Sequence, residues 1–261
     1  MNLEYKLYKH AWVFNGPLDK ENKLNNEQVN ELLSQGGWLV RNVYDFDCKE
    51  QTNFWYVLKD QQESLDEIPK KMRGYIRKAN DAFIIGKISK ERMLQEGYDV
   101  YCKAFDHYKI KDWKLTKEQF EQNINDPKIE IWGCIYKETD TLEAYMICKI
   151  NENICEKCSS KTNPAYLPKY YPMYGLNYAI HQYYLVEKPV KYIISGTRTT
   201  THHSNIQEFL MEKFNYRKAY CHLKIHYKWW LGFAVKVLYP FRNIIPNNSI
   251  KALLVMHSMQ G

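Results

Sequence analysis

Long hydrophobic runs are absent from this chain of 261 residues. A membrane-spanning helix needs about 18 to 20 consecutive apolar residues. The nearest approach, residues 229–239, is shorter and contains Lys236. The first residues, MNLEYKLYKH, also lack the apolar segment of a secretory signal peptide. We therefore expect a cytoplasmic protein without a spanning helix.

Metal and redox motifs are scarce as well. The seven cysteines, an odd number, are scattered and favour free thiols in a reducing compartment. The single CxxC, Cys155 and Cys158, has no partner pair, and a strand would point the two thiols to opposite faces. His222 and His226 share a strand face but lie about 13 Å apart, too far for one zinc ion. We therefore expect no bound metal.

Acidic residues are few in the second half of the chain. From residue 151 onward there are 14 Lys and Arg against 5 Asp and Glu, whereas the first 150 residues have 23 against 25. This asymmetry favours an anionic partner such as a phosphorylated cofactor, a nucleic acid or an anionic lipid. The alternative is that the lysines only keep the surface soluble. No DNA- or RNA-binding motif accompanies the charge, and we expect no DNA partner.

Hydrophobic periodicity predicts a mixed α/β fold. Residues 1–63 are expected to form an irregular α/β lead-in, followed by helices and a three-stranded antiparallel meander at 128–136, 142–150 and 154–160. A helix at 172–187, a strand at 190–195, a helix from residue 205 and a strand at 216–227 follow. The order predicts one mixed, mostly antiparallel sheet with helices on both faces.

The stretch from 191 to 227 holds the first candidate site residues. Its polar loop, 197–203, follows a predicted strand, and open α/β sheets bind ligands at the carboxyl ends of strands. Arg198 could bind a phosphate or carboxylate in a bidentate manner, or it could simply tie down the loop. His202 and His203 could act as a general base, because the unperturbed pKa of histidine is about 6.5, or could be capping or surface residues.

Two short segments carry a resemblance to a known family. EKFNYRKAY at 212–220, together with the element order, resembles the GNAT (Gcn5-related N-acetyltransferase) superfamily of acyltransferases. PKKMRGYIRKA at 69–79 is similar to the Fem-type branch, the peptidoglycan-peptide aminoacyltransferases and their relatives. The resemblance covers 64–227, which leaves 1–63 as an N-terminal extension and 228–261 as an apolar, basic tail. It implies transfer of an acyl or aminoacyl group from acyl-CoA, or from aminoacyl-tRNA, to an amine on a small molecule or peptide.

The resemblance also implies a donor site. The strand at 142–150 would splay from the strand at 191–195 and admit the pantetheine arm of acetyl-CoA or another acyl-CoA, with Tyr145 and Ile147 beside it. The helix start at Tyr171 to Tyr174 would face the pyrophosphate, because free N–H groups and the helix dipole favour anions. Arg198 and Asn205 are further candidates for the donor, and His202, His203, Tyr174 and Glu143 are candidates for proton transfer. Aromatic packing is the alternative for Tyr174, and a solvated position at a strand end is the alternative for Glu143.

Two features depart from the family pattern. The segment that corresponds to the glycine-rich phosphate loop, NPAYLPKYYPMYG, contains only Gly175, inside a predicted helix. Met211 stands where many members carry a tyrosine acid. Fem-type enzymes often lack both features, and some take their aminoacyl group from tRNA. A binding module that has lost catalysis therefore stays an alternative.

The tail, 228–261, allows two further interpretations. Its apolar residues with interspersed Lys and Arg are typical of a helix that docks weakly on an anionic membrane surface. They also fit a segment that packs over the sheet or forms a homodimer contact.

Overall fold

The computed structural model describes residues 4–108, 114–200 and 206–261. The chain divides into two compact units. Unit 1 comprises Met1–Val57, Thr197–Met211 and Tyr216–Gly261, and unit 2 comprises Leu58–Gly196 and Glu212–Asn215. Because the units are interleaved along the chain, the sequence-based boundaries at 63/64 and 227/228 stay predictions.

The described residues contain ten strands and nine α-helices, numbered here in chain order. The strands are β1 (Tyr5–Tyr8), β2 (Ala11–Phe14), β3 (Leu39–Cys48), β4 (Phe54–Lys59), β5 (Phe83–Ile88), β6 (Ile129–Tyr136), β7 (Thr141–Asn151), β8 (Ile154–Thr162), β9 (Tyr192–Thr197) and β10 (Arg217–Tyr227). The helices are α1 (Asn26–Ser34), α2 (Lys70–Ala82), α3 (Lys90–Tyr108), α4 (Lys117–Ile124), α5 (Leu167–Tyr170), α6 (Pro172–Gln182), α7 (Ile206–Phe214), α8 (Trp229–Leu238) and α9 (Asn248–His257).

Unit 1 has its strands in the order β1, β2, β3, β10, β4. β2 pairs parallel with β3, while β1 with β2 and β3 with β10 pair antiparallel. The alternation predicted for β10 is confirmed, since one set of its side chains is buried: Ala219, Cys221, Leu223 and Ile225. Period-two burial of this kind is what a strand with one covered face requires.

Unit 2 has its strands in the order β9, β8, β7, β6, β5. The predicted meander is confirmed, because β5 to β8 pair antiparallel in sequence. Met146 of β7 packs in a core with Leu176 of α6, whereas its neighbour Tyr145 packs in a second core with Phe120 of α4. Successive strand residues point to opposite faces. Unit 2 therefore has helices on both faces of its strands, and the predicted mixed, mostly antiparallel α/β class is confirmed.

One helix start differs from the prediction. The sequence favours a helix from Ser64 with Pro69 in its first turn, but Ser64 caps a separate 3-10 turn, Leu65–Glu67. α2 begins only at Lys70. A proline disfavours helical geometry at the residue before it, and Ile68 is indeed extended. The turn leaves Leu65 40% exposed, so Leu65 does not belong to the buried stripe of α2.

Candidate functional site

The two strands β8 and β9 pair over a short distance only. Their parallel register joins Ile154 with Tyr192, Cys155 with Ile193, and Glu156 with Ile194. Both strands continue beyond these pairs, β8 as far as Thr162. The backbone of β8 from residue 157 onward is therefore not paired with β9. We call the space between the two strands beyond Glu156 the β8–β9 opening.

A β-bulge lies at the start of this opening. Cys148 of β7 is opposite Lys157, and Ile147 is opposite Ser159, so Cys158 is the extra residue. Bulges bend a strand, increase its twist and are over-represented next to active sites. The bulge therefore gives a local reason for β8 to turn away from β9 at this point.

The opening is displaced by one strand from the predicted position. β7 was expected to splay from β9, but β8 lies between them, and β7 is paired on both sides, with β6 and β8. Tyr145 is 1% exposed and Ile147 is 7% exposed, and both pack in the core with α3 and α4. These two residues therefore do not line the opening. The strands of a meander all show the same two-residue alternation in sequence. The sequence therefore does not show which of these strands lies next to β9.

A lysine follows the last β8–β9 pair. Lys157 is half-buried, and its Nζ donates a hydrogen bond of 2.5 Å to Oδ1 of the fully buried Asn177 on α6. The Asn177 Nδ2 in turn donates to the Met173 carbonyl at 2.7 Å. Ser160 and Thr162 lie on the same face of β8 as Lys157. The residues opposite all three on β7 belong to the core beneath α6. The Thr162 hydroxyl is buried and has no hydrogen-bond partner among residues 4–108, 114–200 and 206–261.

His181 lies one helical turn beyond Asn177 on α6. It is 4% exposed, and its ring meets the Phe214 ring edge-on at 5.3 Å. Burial, together with the positive charges of Lys157 and Lys59, holds the pKa of His181 well below its ordinary value. The imidazole is therefore neutral at neutral pH.

Lys157 itself has a perturbed pKa. Burial lowers the pKa of the ammonium group from its ordinary value to about 8, against the opposing effect of the Cys148 and Cys155 thiols. At pH 7 roughly a tenth of such an amine is neutral. Lysines tuned to this range serve as general acids and bases, and perturbed groups of this kind concentrate at functional sites. The arrangement can therefore exchange a proton near neutrality.

Tyrosines gather at the start of α6. Tyr171 has a φ of 54°, in the left-handed region that large side chains rarely adopt. Its ring stacks on Tyr75 of α2 at 4.0 Å, and Tyr174 meets Tyr75 at 5.0 Å and Phe214 at 5.8 Å. Burial and the two neighbouring tyrosines raise the pKa of Tyr174. The structure thus brings the predicted residues Tyr171 and Tyr174 together.

Gly175 has a packing role. A Cβ on this residue would lie 2.4 Å from Cδ1 of Ile85 and 2.7 Å from Cβ of Ala79. Only glycine therefore lets α6 approach β5 and α2 this closely. The single glycine of the segment at 163–175 serves helix packing, not a phosphate-binding turn.

Glu143 anchors the loop that leads from β8 to α6. It is 7% exposed, and its carboxylate accepts hydrogen bonds from the Asn163 amide at 2.7 Å and from the Thr141 hydroxyl at 2.8 Å. The Glu143 carbonyl also accepts a hydrogen bond from the Asn163 N–H at 2.8 Å. These contacts give Glu143 a positioning role for the loop. Its predicted part in proton transfer stays a prediction.

Arg198 belongs to unit 1. Its guanidinium donates to the Asn53 carbonyl at 2.7 Å, and its N–H donates to the Trp55 carbonyl at 2.8 Å. These contacts match the alternative in which the arginine ties down its loop. Arg198 also lines a polar surface pocket, together with Gln51, Thr52, Asn53, Trp55, Lys218 and Tyr220.

The remaining predicted residues, His202, His203 and Asn205, lie outside the described residues, so their roles stay predictions. Sequence reasoning missed Lys157, Asn177 and His181. A signal was available for two of them, because Asn177 and His181 are polar residues four apart within the apolar stripe of α6.

The described part of the chain has neither a metal-ligand cluster nor a membrane-spanning helix. It contains no group of three or more His, Cys, Asp and Glu placed to hold a metal ion. None of its helices combines the length and the apolarity needed to cross a membrane.

Comparison with known proteins shows the fold. No protein-family model matches this chain, and no curated protein matches it by sequence. The structure of FemX aligns with a TM-score of 0.53 at 9% identity, covering 75% of each chain. The C-terminal domain of a putative lysylphosphatidylglycerol synthetase from Agrobacterium fabrum aligns with a TM-score of 0.51 at 12% identity, covering 83% of this chain and 78% of that one.

A GCN5-related N-acetyltransferase from Sphaerobacter thermophilus aligns with a TM-score of 0.44 at 9% identity, covering 73% of this chain and 59% of that one. These identities are low and concern the fold alone. FemX and the lysylphosphatidylglycerol synthetase domain share the fold of this chain, in agreement with the Fem-type resemblance of the sequence.

Proposed function

We propose that this protein is an acyltransferase that moves an acyl or aminoacyl group from an activated donor to an amine. The observation that carries the proposal is the end of β8–β9 pairing at Glu156, followed by the bulge at Cys158. Where two strands diverge, their facing backbone groups are not paired with each other. An extended donor arm that enters between the strands can hydrogen-bond to these groups. The β8–β9 opening offers such backbone from Lys157 onward.

The charge of the chain supports a polyanionic donor. Both acyl-CoA and aminoacyl-tRNA carry phosphates, and the residues from 151 onward carry a net charge of +9. The start of α6 at Tyr171 has no side-chain cap, and the helix dipole favours an anion there, although Pro172 has no N–H and the Tyr174 N–H donates to the Tyr171 carbonyl at 2.9 Å. Arg198 stays a second candidate for donor phosphates.

The chemistry needs one proton carrier. The acceptor nitrogen attacks the donor carbonyl, a C–N bond forms, and the C–S bond of a thioester or the C–O bond of an aminoacyl ester breaks. Lys157 in its neutral form takes the proton from the nitrogen and returns it to the departing sulfur or oxygen. Its pKa of about 8 suits both steps near neutral pH.

The name of the second structural neighbour supports an aminoacyl ester as donor. A lysylphosphatidylglycerol synthetase makes a product that carries a lysyl group. For this chain, an aminoacyl-tRNA is therefore an alternative to acyl-CoA. Both donors occur in the cytoplasm, the compartment that we propose.

A second candidate function is a GNAT-like binding module without catalysis. Met211 at the position of the family's tyrosine acid favours it, as does the packing role of Gly175. Such a module would bind donor but not transfer the acyl group.

Donor binding and single-turnover transfer test the proposal together. Isothermal calorimetry with acetyl-CoA, a long-chain acyl-CoA and CoA, and filter binding with aminoacyl-tRNA, identify the donor. With the donor that binds, Lys157→Met should keep the affinity within a few-fold and slow transfer to a simple amine by about 10²- to 10⁴-fold.

Lys161→Met is the matched control. Lys161 lies on the same strand but pairs with Tyr145, which faces the other core. Its replacement should leave transfer unchanged. Binding without transfer in the wild type would favour the binding module. If none of the donors binds, or if both lysine variants transfer equally well, the proposed site is wrong.

A further inference from the structure

Helix α8 carries apolar side chains on two opposite faces. Leu231 and Val235 are buried against unit 1. Trp229, Phe233 and Val237, spaced four residues apart, are 85%, 68% and 50% exposed. Residues four apart lie above one another on a helix, so these three form a continuous ridge.

The apolar surface continues beyond the helix. Phe241 is 54% exposed and Ile244 is 76% exposed. We call these five residues, Trp229, Phe233, Val237, Phe241 and Ile244, the α8 surface. Single exposed apolar residues are ordinary, but a group of this size along one short segment marks an interaction surface.

The helix that carries this surface is firmly held within unit 1. Trp230 meets the ring of Trp38 edge-on at 5.5 Å, and Trp38 stacks on His10 at 4.1 Å. The Lys228 N–H donates to the Trp38 carbonyl at 2.9 Å. Trp229 therefore projects from a helix whose start is fixed by packing.

The chain segment that carries this surface has charges of one sign. After Glu212 the chain contains eight Lys and Arg and no Asp or Glu. Lys236 lies on the exposed side of α8, next to the ridge, because it is three residues from Phe233 and seven from Trp229. Lys228 and Arg242 flank the two ends of the helix. Long basic side chains can place their charge beside phosphates while their stems lie along apolar surface.

We propose that the α8 surface docks on an anionic lipid surface. Trp229 and Phe233 would enter the interfacial region, while Lys236 and Arg242 would contact the headgroup phosphates. Aromatic residues with neighbouring Lys and Arg are the combination that such interfaces favour. The proposal does not depend on the acyltransferase function.

A second copy of this chain fits the surface less well. A twofold dimer places the same patch of each copy against the other. Lys236 and Arg242 would then face like charges, and no acidic residue between 213 and 261 is present to pair with them. An anionic bilayer complements these charges.

Vesicle co-sedimentation of the full-length protein tests the proposal. We expect binding to phosphatidylcholine vesicles that contain about 30% phosphatidylglycerol, weaker binding at high salt, and little binding to pure phosphatidylcholine. The double variant Trp229→Ser with Phe233→Ser should lower the partition coefficient at least about tenfold. Lys236→Glu should weaken binding to the anionic vesicles specifically.

The matched control removes two apolar side chains of similar exposure elsewhere. Ile84 and Tyr108 are 58% and 57% exposed, and Ile84→Ser with Tyr108→Ser should bind vesicles like the wild type. Absence of wild-type binding, or equal loss in both double variants, would overturn the proposal. A third outcome would also overturn the proposal: the wild type binds no vesicles but forms a concentration-dependent dimer in analytical ultracentrifugation, and only Trp229→Ser with Phe233→Ser abolishes that dimer.

Discussion

Two lysines, the buried Lys59 and the half-buried Lys157, differ in how their charge is accommodated. The Lys59 side chain is 1% exposed, and its Nζ donates to the Glu63 carboxylate at 3.3 Å and to the Phe214 carbonyl at 2.9 Å. Lys157 donates to the neutral amide of Asn177, and its pKa is depressed to about 8. Lys59 therefore has a carboxylate as its partner, whereas Lys157 combines a neutral partner with a depressed pKa, and this combination points to a functional role for Lys157.

The two lysines should differ most in how much their replacement lowers the free energy of unfolding. Lys59→Met would leave the Glu63 carboxylate buried without its ammonium partner, and removal of one member of a buried ion pair costs about 3–5 kcal/mol. Lys157→Met removes an ammonium group whose burial is itself unfavourable, so its cost should be about 1 kcal/mol or less. Urea denaturation measures both free energies of unfolding. Equal losses in the two variants would remove the distinction between the lysines.

The pH dependence of stability sharpens the comparison further. The pKa of Lys157 is about 8 in the folded protein and about 10.4 in an unfolded chain, so the unfolded state binds more protons between these values. Wild-type stability should therefore rise relative to Lys157→Met as the pH increases from 8 to 10. Differential scanning fluorimetry of both proteins across this range measures the trend. A melting-temperature difference that stays constant with pH would contradict the assigned pKa.

Asn177 offers a way to tune Lys157 directly. Asn177→Asp places a carboxylate beside the ammonium and should raise the pKa of Lys157 by about one unit or more. Asn177→Leu removes the hydrogen-bond acceptor and should lower that pKa. NMR titration of the lysine Cε signals, assigned with Lys157→Met, follows both changes. Unchanged titration in both variants would mean that Asn177 does not set the protonation of Lys157.

The smallest effect is expected at Arg198. Arg198→Ala removes the solvent-exposed hydrogen bond from the guanidinium to the Asn53 carbonyl, and a hydrogen bond of this kind contributes about 0.5–1.5 kcal/mol. We expect a loss near the lower end of that range, because Arg198 lines a surface pocket. Donor affinity serves as the second measurement. A fall of more than about tenfold in affinity would instead favour the phosphate-binding role predicted from the sequence.

Local patterns in the sequence predicted much of the fold. Apolar and polar residues alternate along β10, and Thr116 is followed three residues later by Gln119, the sequence pattern of a capping box. Both patterns involve residues close together in the chain, and the structure has both features. The order of the strands in unit 2 depends on contacts between distant segments. Periodicity could not show that β8, and not β7, borders β9.

The candidate site was harder to predict than the fold. Loop residues such as Arg198 were favoured because polar groups in loops after strands often bind ligands. Lys157 lies inside a strand, and a strand pattern alone does not show that a lysine is folded inward against a helix. The role that we propose for Lys157 depends on its contact with Asn177, which only the structure shows.

The contact made possible by Gly175 has a consequence for how the site can respond to a ligand. Because the backbone of α6 is seated against Ile85 and Ala79 with no room for a methyl group, the helix cannot slide or roll without a steric clash. We therefore expect Asn177 and His181 to keep their positions when a donor binds. On this expectation the hydrogen-bond acceptor of Lys157 is preorganised, and the entropic cost of ordering it is met during folding instead of during binding.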